Sequence, residues 1–323
     1  MTTFSLTQKW DRYWFPDAPL LDLAILRVIA VGTQLALMVF DSRYGLVSLR
    51  EISELPVSFY RPLPFFRPIL AILGGHTFTI SEIQTIHIAA IAVGFAALVG
   101  LWTRVTLFLF AAGVMLVQLW ALSHGDIHHP EAAMMIALGV LALSPAGAVL
   151  SLDAWLQRGS RRTTFQQQVT SLSREAKWPI LVVQWLFGLM YLSASYSKLS
   201  IGGVDWPNGF TLQYYLAMDG LRWNSLLGVW LSQFHWLCVI GQWAVLIFQS
   251  TFFLSLIFPK LKWLYVPIGM AMHIGIYLML KAPFWQWTAL YLVFIPWSAA
   301  LTYMKWMPER PKAEMGFGEA STR

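Results

Sequence analysis

Residues 20–40 read LLDLAILRVIAVGTQLALMVF, an apolar run in which Asp22 and Arg27 are the only charged side chains. A helix needs about 20 mainly apolar residues to cross the hydrocarbon core of a bilayer. Seven further runs of this kind follow, with polar, Gly or Pro clusters between them: 83–101, 104–122, 132–150, 179–199, 234–258, 262–280 and 284–304. The sequence therefore predicts an all-α integral membrane protein, a bundle of about eight transmembrane helices.

The composition excludes most soluble classes of protein. Of the 323 residues, 57% are hydrophobic and 12% are charged, whereas a soluble domain has about 25% charged residues. The single cysteine, Cys238, excludes an intramolecular disulfide framework and a metal site built from cysteines. A net charge of +6 would favour nucleic acid in a soluble protein. In an apolar chain it indicates basic cytoplasmic loops, so we expect a lipid bilayer and no nucleic acid as partner.

The distribution of basic residues predicts the orientation. With the N-terminus inside, the inner segments carry 14 of the 22 Lys and Arg residues and the outer segments carry 7. This ratio satisfies the positive-inside rule and places both termini in the cytoplasm, with the bacterial inner membrane as the expected location. We expect one transmembrane domain over 1–323, with a disordered cytoplasmic tail at 306–323.

The outer segment 200–233 is too apolar for a solvated loop. Its aromatic and aliphatic residues, among them Phe210, Tyr214 and Trp223, are typical of a helix that lies in the membrane interface. We therefore predict an interfacial helical segment at 205–230. The 17 tryptophans of the chain are interpreted mainly as interface residues, and an aromatic cofactor cage is the alternative.

A cluster of ionisable residues, HGDIHHPE at 124–131, lies at the predicted outer junction of the third and fourth spans. His124, His128 and His129 together with two carboxylates suit acid–base chemistry or metal ligation. A solvated polar turn is the third interpretation. Membrane desaturases bind two irons through several such histidine boxes, but the other histidines here are scattered singly, so no metal is expected.

A second cluster reads YLSASYSKL at 191–199, followed by DWPNG at 205–209. Lys198 lies at the predicted outer end of the fifth span. A lysine in an apolar pocket loses its charge more readily and then becomes a usable base. The alternative is a lysine that extends to the interface.

Several other polar residues lie inside the predicted spans. His273, in the seventh span, is either a ligand-binding residue or an interhelical hydrogen-bond partner. We interpret five residues as interhelical hydrogen-bonding groups: His87, Gln118, Gln184, Gln242 and Gln249. Arg27 is expected to face the bundle interior, where it pairs with a carboxylate in a structural role.

Three stretches, taken in their order and spacing, carry a resemblance to a known family. They are DLAILRVIAVG at 22–32, ALSPAGAVLSLD at 142–153, and the Lys198 segment with Asp205, Trp206 and Gly209. Together they resemble the horizontally transferred transmembrane (HTTM) domain family, which includes the vitamin K-dependent γ-glutamyl carboxylases. The resemblance covers roughly residues 10 to 305, and its lysine–leucine–tryptophan–glycine segment is the most specific part.

The resemblance implies a carboxylase- or epoxidase-like enzyme that works with a reduced quinone of the vitamin K type, O2 and CO2. In that family a membrane-embedded lysine deprotonates the reduced quinone, and Lys198 matches this lysine. His129, with His128 beside it, matches a histidine at the start of the fourth span, and His273 matches a late histidine. Ser197 stands where the family has a first lysine, and His128 where it has an asparagine.

We therefore expect Lys198, His129 and His128 to be catalytic and to converge on one outward-opening pocket. Tyr191, Ser195, Trp206 and His273 are the predicted cofactor-binding residues. The expected substrate is a small molecule or a secreted peptide or protein. The alternatives are a non-catalytic scaffold or chaperone for maturation or export of a secreted peptide, and, third, a desaturase-like metal oxidase.

The basic-residue count yields a direct test of topology. Reporter fusions after Arg162 and after Arg310 should report cytoplasm, and fusions within 200–233 should report the outside. An outside signal at Arg162 would reverse the orientation.

Overall fold

The computed structural model describes residues 5–125, 130–161, 164–304 and 306, and these are mainly helical. The α-helices are α1 Leu6–Trp14, α2 Leu20–Phe40, α3 Leu46–Ser53, α4 Arg67–Ile72, α5 Ile80–Val99, α6 Thr103–Leu122, α7 Pro130–Ala142, α8 Leu152–Arg161, α9 Phe165–Val169, α10 Lys177–Gly202, α11 Phe210–Arg222, α12 Leu226–Leu231, α13 His235–Thr251, α14 Leu254–Ile257, α15 Lys262–Leu280, α16 Trp285–Leu290 and α17 Trp297–Tyr303. Short 3₁₀ helices cover Val57–Phe59, Gly203–Asp205, Pro259–Leu261 and Tyr291–Phe294. The all-α prediction is thus correct at this level.

Six helical segments in the described part of the chain are long and apolar enough to cross a membrane. They are Leu20–Phe40, Ile80–Val99, Thr103–Leu122, Lys177–Asp205, His235–Ile257 and Pro259–Leu280. The predicted span 132–150 contains only the 13-residue helix α7, and the predicted span 284–304 is divided into α16, a 3₁₀ turn and α17. The count of eight spans is therefore not confirmed.

Two short strands link distant parts of the chain. β1 (Ala18–Pro19) pairs antiparallel with β2 (Leu172–Ser173), and Ala18 lies opposite Ser173. Since α2 follows β1 directly and α10 begins shortly after β2, this pairing holds the first turns of the two helices side by side. The helix α1 packs against α10, where the Trp185 indole N–H donates to the Tyr13 hydroxyl at 2.6 Å.

The main core lies where α2, α7, α10 and α16 meet. Its centre is aromatic: Phe187, Phe252 and Tyr291 are completely buried. The ring centroids of Phe187 and Tyr291 are 4.6 Å apart, and those of Phe187 and Trp287 are 4.8 Å apart in an edge-to-face arrangement. Aromatic pairs at these separations stabilise the packing beyond the area they bury.

Arg27 stabilises the chain after α7. Its completely buried guanidinium donates hydrogen bonds to the carbonyl oxygens of Ala146, at 3.1 Å, and Leu150. The sequence predicted an interior, structural arginine paired with a carboxylate. The guanidinium instead binds two backbone carbonyls, with the negative charge of Asp153 nearby. At Gly100 (φ +74°) a side chain would overlap both Arg27 and Ser151, which explains the glycine there.

Asp153 caps the first turn of α6. Its carboxylate accepts hydrogen bonds from the backbone N–H groups of Trp102 (2.8 Å) and Thr103 (2.7 Å), and from the Thr103 hydroxyl (2.7 Å). Burial raises the pKa of Asp153, but the bonds from Thr103 and Trp102 outweigh burial and hold this pKa below its usual value. Two of the three stretches that carry the family resemblance thus meet at Arg27 and Asp153.

The predicted interfacial segment 205–230 is helical. The 3₁₀ turn Gly203–Asp205 leads into α11 and α12, where Tyr214, Leu221 and Leu226 are exposed. The Ser225 hydroxyl donates to the Leu278 carbonyl at 2.8 Å, which fixes the segment against the end of α15. Its location in the membrane interface stays a prediction. Of the predicted tail 306–323, only residue 306 is described.

Replacement of Arg27 by methionine should destabilise the protein strongly. The change leaves two carbonyls without their donors, so we expect a loss of about 2–4 kcal/mol. Thermal unfolding in detergent would measure it. Arg104→Met, at an exposed position of α6, is the matched control, and an equal loss there would contradict the structural role of Arg27.

The Asp153 cap should make stability depend on pH. Because its pKa is lower in the folded than in the unfolded state, the carboxylate stabilises the protein above the unfolded value of about 3.9. This stabilisation disappears as the pH falls through the folded value. Asp153→Ala should therefore cost about 1–2 kcal/mol near neutral pH and less below about pH 4. Unfolding midpoints across this range test it, with the exposed Asp17→Ala as control; a difference independent of pH would contradict the charge effect.

Candidate functional site

A cavity of about 610 Å³ lies between α10, α13, α15 and α16. This volume is in the range of sites that hold small molecules, roughly 300–1,000 Å³. The lining is mainly apolar and aromatic with a few polar groups: Met190, Tyr191, Ser193, Ala194, Ser197, Lys198, Ile201, Gly202, Trp206, Val245, Gln249, Met272, His273, Ile276, Phe284 and Trp287. Four of the predicted site residues, Lys198, Tyr191, Trp206 and His273, therefore share one cavity.

One face of α10 forms a wall of the cavity. Lining residues recur at the three- and four-residue spacing of a helix face, from Met190 to Gly202. Small side chains at Ser193, Ala194 and Ser197 occupy the middle of this wall. Because they project little from the backbone, they leave room for a ligand between Lys198 and the deeper residues.

The Lys198 amine points back along α10 into the cavity. Its Nζ donates to the Ala194 carbonyl at 3.4 Å and lies 5.4 Å from the centroid of the Trp206 ring. Among the described residues, no carboxylate is within ion-pair distance of it. The amine therefore has a long contact to a backbone carbonyl and a cation–π contact, and keeps donor capacity for a ligand.

Two contacts hold Trp206 in position, one to its backbone carbonyl and one to its side chain. The Gln242 amide donates to the Trp206 carbonyl at 3.0 Å. A side chain at Gly202 would overlap the Trp206 side chain, so the glycine permits the close approach of the indole to α10. The sequence predicted Gln242 as an interhelical hydrogen-bonding group, and its partner is this backbone carbonyl.

The hydroxyl of Tyr191 is the centre of a hydrogen-bonded chain at the deep end of the cavity. It lies 2.7 Å from Nε2 of His273 and 2.5 Å from the hydroxyl of Tyr291. Which atom donates in each bond depends on the His273 tautomer, and the buried Nδ1 of His273 has no hydrogen-bond partner among the described residues. All three side chains are buried. A side chain at Gly269 would overlap the Tyr291 hydroxyl, so this glycine makes room for the chain.

Aromatic rings hold the His273 imidazole in position. The Phe284 ring lies 5.0 Å away, centroid to centroid, and the Trp287 ring lies 5.9 Å away in a stacked arrangement. Both rings also line the cavity. The imidazole thus has one fixed orientation, with Nε2 directed to Tyr191.

Ser195, a predicted cofactor-binding residue, makes its hydrogen bond within its own helix. It is buried, and its hydroxyl donates to the Leu192 carbonyl of its own helix at 2.9 Å. It is not among the residues that line the cavity. The helical rotation explains this, because Ser195 lies beyond Tyr191 at the edge of the lining face.

His128 and His129 lie outside the described residues, so their predicted convergence with Lys198 stays a prediction. Two residues after His129 in the sequence, the buried Glu131 carboxylate accepts a hydrogen bond from the Tyr44 hydroxyl at 2.8 Å. His124 packs against Trp120 and Tyr60, and its Nδ1 donates to the Trp120 carbonyl at 3.0 Å. Burial lowers the pKa of His124, although this hydrogen bond opposes the effect.

Sequence reasoning missed Tyr291, Phe284 and Trp287. All three belong to the predicted eighth span, where an aromatic residue in an apolar run carries no signal of its own. Gln249, interpreted from the sequence as an interhelical group, lines the cavity, and its buried Oε1 has no hydrogen-bond partner among the described residues.

Within the described ranges, no group of three or more His, Cys, Asp or Glu side chains is arranged to hold a metal ion. Comparison of the chain with models of protein families, with curated proteins and with solved structures found no match. The HTTM resemblance and the roles it implies are therefore predictions.

Proposed function

We propose that the protein is a membrane enzyme that binds a reduced quinone between Lys198 and Tyr191 and uses the Lys198 amine as a base. The observation that carries the proposal is the meeting of Lys198, Trp206, Tyr191 and His273 in one cavity. The proposed product-forming step modifies a small or secreted substrate with O2 and CO2, as the HTTM resemblance implies.

The lining fits an aromatic ligand with hydroxyl groups. Trp206, Phe284 and Trp287 offer ring faces, and the small wall of α10 leaves space beside them. Polar groups are few and convergent, as is typical of small-molecule sites. A bound reduced quinone would supply phenolic hydroxyls and the reducing equivalents that O2 accepts.

Lys198 supplies the base in this proposal. A phenolic hydroxyl has a pKa of roughly 10, so a neutral lysine amine is a reasonable acceptor for its proton. Among the described residues no carboxylate pairs with the amine, so no ion pair has to break when it exchanges a proton. The Trp206 ring covers one side of the amine, with Nζ 5.4 Å from the ring centroid, and limits its access to water.

The finer topology belongs to the same proposal. We place α7 and the α16–α17 segment as the two remaining spans of an eight-span bundle in a bacterial inner membrane, with both termini in the cytoplasm. Lys198 then lies towards the outer face. A secreted peptide would reach the cavity from that side.

A non-catalytic scaffold for peptide maturation or export is the second candidate. One observation favours it: the Tyr191 hydroxyl is already bonded to His273 and Tyr291, as in a purely structural network. For a scaffold, Lys198 would need only its contacts to Ala194 and Trp206.

Lys198 substitutions separate the two candidates. Lys198→Met keeps length and apolarity but removes the amine, so oxygen uptake driven by a reduced short-chain naphthoquinone should fall at least about 100-fold. Lys198→Arg should fail as well, because a guanidinium is not a base near neutral pH. Binding of the naphthoquinone, followed by quenching of tryptophan fluorescence, should persist in Lys198→Met.

Two controls complete the design. Lys260→Met, at an exposed lysine, should leave oxygen uptake unchanged. Ala194→Phe fills the cavity wall and should abolish both binding and uptake. If the parent neither binds the naphthoquinone nor consumes oxygen, while Lys198→Met supports peptide maturation in cells as the parent does, the scaffold is the correct function.

A further inference from the structure

The N-terminal helix α1 has one apolar face and one polar face. Successive residues of a helix are rotated by about 100°, so the large apolar and aromatic side chains of α1 fall within a single arc of about 100°: Leu6, Trp10, Tyr13 and Trp14. The remaining surface carries polar side chains, among them Lys9 and Arg12. This spacing is typical of a helix that lies between an apolar and an aqueous environment.

The protein covers only one end of the apolar face. The Tyr13 hydroxyl accepts its hydrogen bond from Trp185 of α10, and Trp14 is half-buried. At the other end of the helix, however, Leu6 is 85% exposed and Trp10 is 60% exposed. The first turns of α1 thus present an apolar surface that the described residues leave open.

The helix α1 is too short to be stable without a partner for this surface. It has nine residues, whereas isolated helices shorter than about 12–15 residues are marginal in water. A capping box closes its first turn, since the Gln8 N–H donates to the Ser5 hydroxyl at 3.2 Å and the Ser5 N–H donates to the Gln8 side chain at 3.0 Å. The environment around Leu6 and Trp10 must supply the rest of the stabilisation.

Contacts to α10 give the position of α1 relative to a membrane span. The Arg174 guanidinium, just before α10, donates to the Phe15 carbonyl at 3.1 Å. Trp185, the partner of Tyr13, is about 12 Å along α10 from Lys177, because each residue advances 1.5 Å. The end of α1 therefore lies beside the first two turns of a helix that is long enough to cross a membrane. Interfacial helices lie at this level, about 5–10 Å into the boundary between headgroups and acyl chains.

The helix α8 exposes similar side chains at the same end of the bundle. Gln168 of α9 donates to the Ala154 carbonyl of α8 at 3.0 Å, and the strand β2 that follows α9 pairs with β1, which follows α1. In α8, Trp155 is 58% exposed and Leu156 is 57% exposed. Tryptophan is enriched where a membrane meets water. Two helices with exposed tryptophans at one end of the bundle therefore favour a lipid surface as the partner.

The charge of α1 favours an anionic lipid surface. Lys9 and Arg12 are exposed, and Asp11 is the only acidic residue of the helix. The Arg174 guanidinium at Phe15 adds a further positive charge beside it. Basic side chains near a membrane surface are attracted by anionic headgroups.

We propose that α1 is an interfacial anchor that binds an anionic lipid surface. Leu6 and Trp10 insert among the acyl chains next to the headgroups, and Lys9 and Arg12 contact the headgroup phosphates. The hydrogen bond from Trp185 to Tyr13 and the bond from Arg174 to Phe15 then connect this surface to the beginning of α10. The proposal depends neither on the quinone site nor on which end of the bundle is cytoplasmic.

Spin labels on the full chain in lipid vesicles test the insertion. A nitroxide at Leu6→Cys or Trp10→Cys should collide with O2, relative to a water-soluble nickel chelate, several-fold more often than one at Gln8→Cys on the opposite face. The Gln8 change keeps the backbone bond to Ser5, and the unsubstituted chain, whose single Cys238 is buried, gives the background labelling.

Two results would overturn the insertion. Equal access of the nickel chelate to all three labels would show that α1 lies in water. Poor access of both reagents to the labels at positions 6 and 10 would show that another protein surface, such as a second copy of the chain, covers this face.

Hydrogen exchange of the α1 amides tests the charge. In phosphatidylcholine vesicles that contain phosphatidylglycerol, exchange should be slower than in pure phosphatidylcholine, and Lys9→Gln should speed it by up to roughly fivefold, since each basic residue near an anionic surface adds about this factor. Lys260→Gln, at an exposed lysine outside α1, is the control and should leave α1 unchanged. Equal exchange in the two kinds of vesicle would overturn the anionic partner.

Discussion

The buried guanidinium of Arg27 is the interaction on which the arrangement of the bundle depends. In the buried interior of the bundle no solvent is available to backbone carbonyls, so a helix can end there only if other groups satisfy them. The helix α7 ends at Ala142, and Arg27 binds the carbonyls of Ala146 and Leu150 in the turns that follow. This bonding allows a helix of 13 residues to pack against α2, α6, α10 and α16 and complete the core.

The same constraint explains the break between α16 and α17. The 3₁₀ turn Tyr291–Phe294 interrupts the regular helical hydrogen bonding, and two side chains donate to carbonyls of this turn. The Gln184 amide donates to the Val293 carbonyl at 3.1 Å, and the Trp297 indole donates to the Leu292 carbonyl at 3.0 Å. The break is thus a stable part of the fold. It also orients Tyr291 towards Tyr191, so the polar chain at the deep end of the cavity depends on it.

Sequence patterns predicted the long helices well, because hydropathy and length are properties of a continuous run. The run 20–40 matches α2 at both ends. Hydropathy did not reveal that 132–150 and 284–304 are interrupted, since a turn built from apolar residues has the same hydropathy as a helix. Pro145 and Pro296 were the available signals, because proline disfavours a helical conformation in the residue before it.

The candidate site was predictable only along one helix. Tyr191 and Lys198 are seven residues apart, so helical periodicity puts them on one face of α10, and the family resemblance added Trp206 and His273. The same periodicity places Ser195 just past the edge of that face. The run of hydroxyl residues at 193–197 does not by itself show this difference between Ser195 and its neighbours. Tyr291, Phe284 and Trp287 come from another segment, and the packing of one helix against another is not encoded in a local pattern.

The surroundings of the partly buried lysines show why Lys198 is the candidate base. The Lys262 amine donates to the Gln184 carboxamide oxygen at 2.9 Å and lies over the Phe294 ring, so it is engaged in packing the break after α16. Lys177 lies in the field of the Asp22 carboxylate. Lys198 has neither a short hydrogen bond nor a carboxylate partner among the described residues, and it opens on a cavity of about 610 Å³. An amine that is weakly held and adjacent to space for a ligand is free to exchange a proton, whereas the other two lysines are fixed by the groups they stabilise.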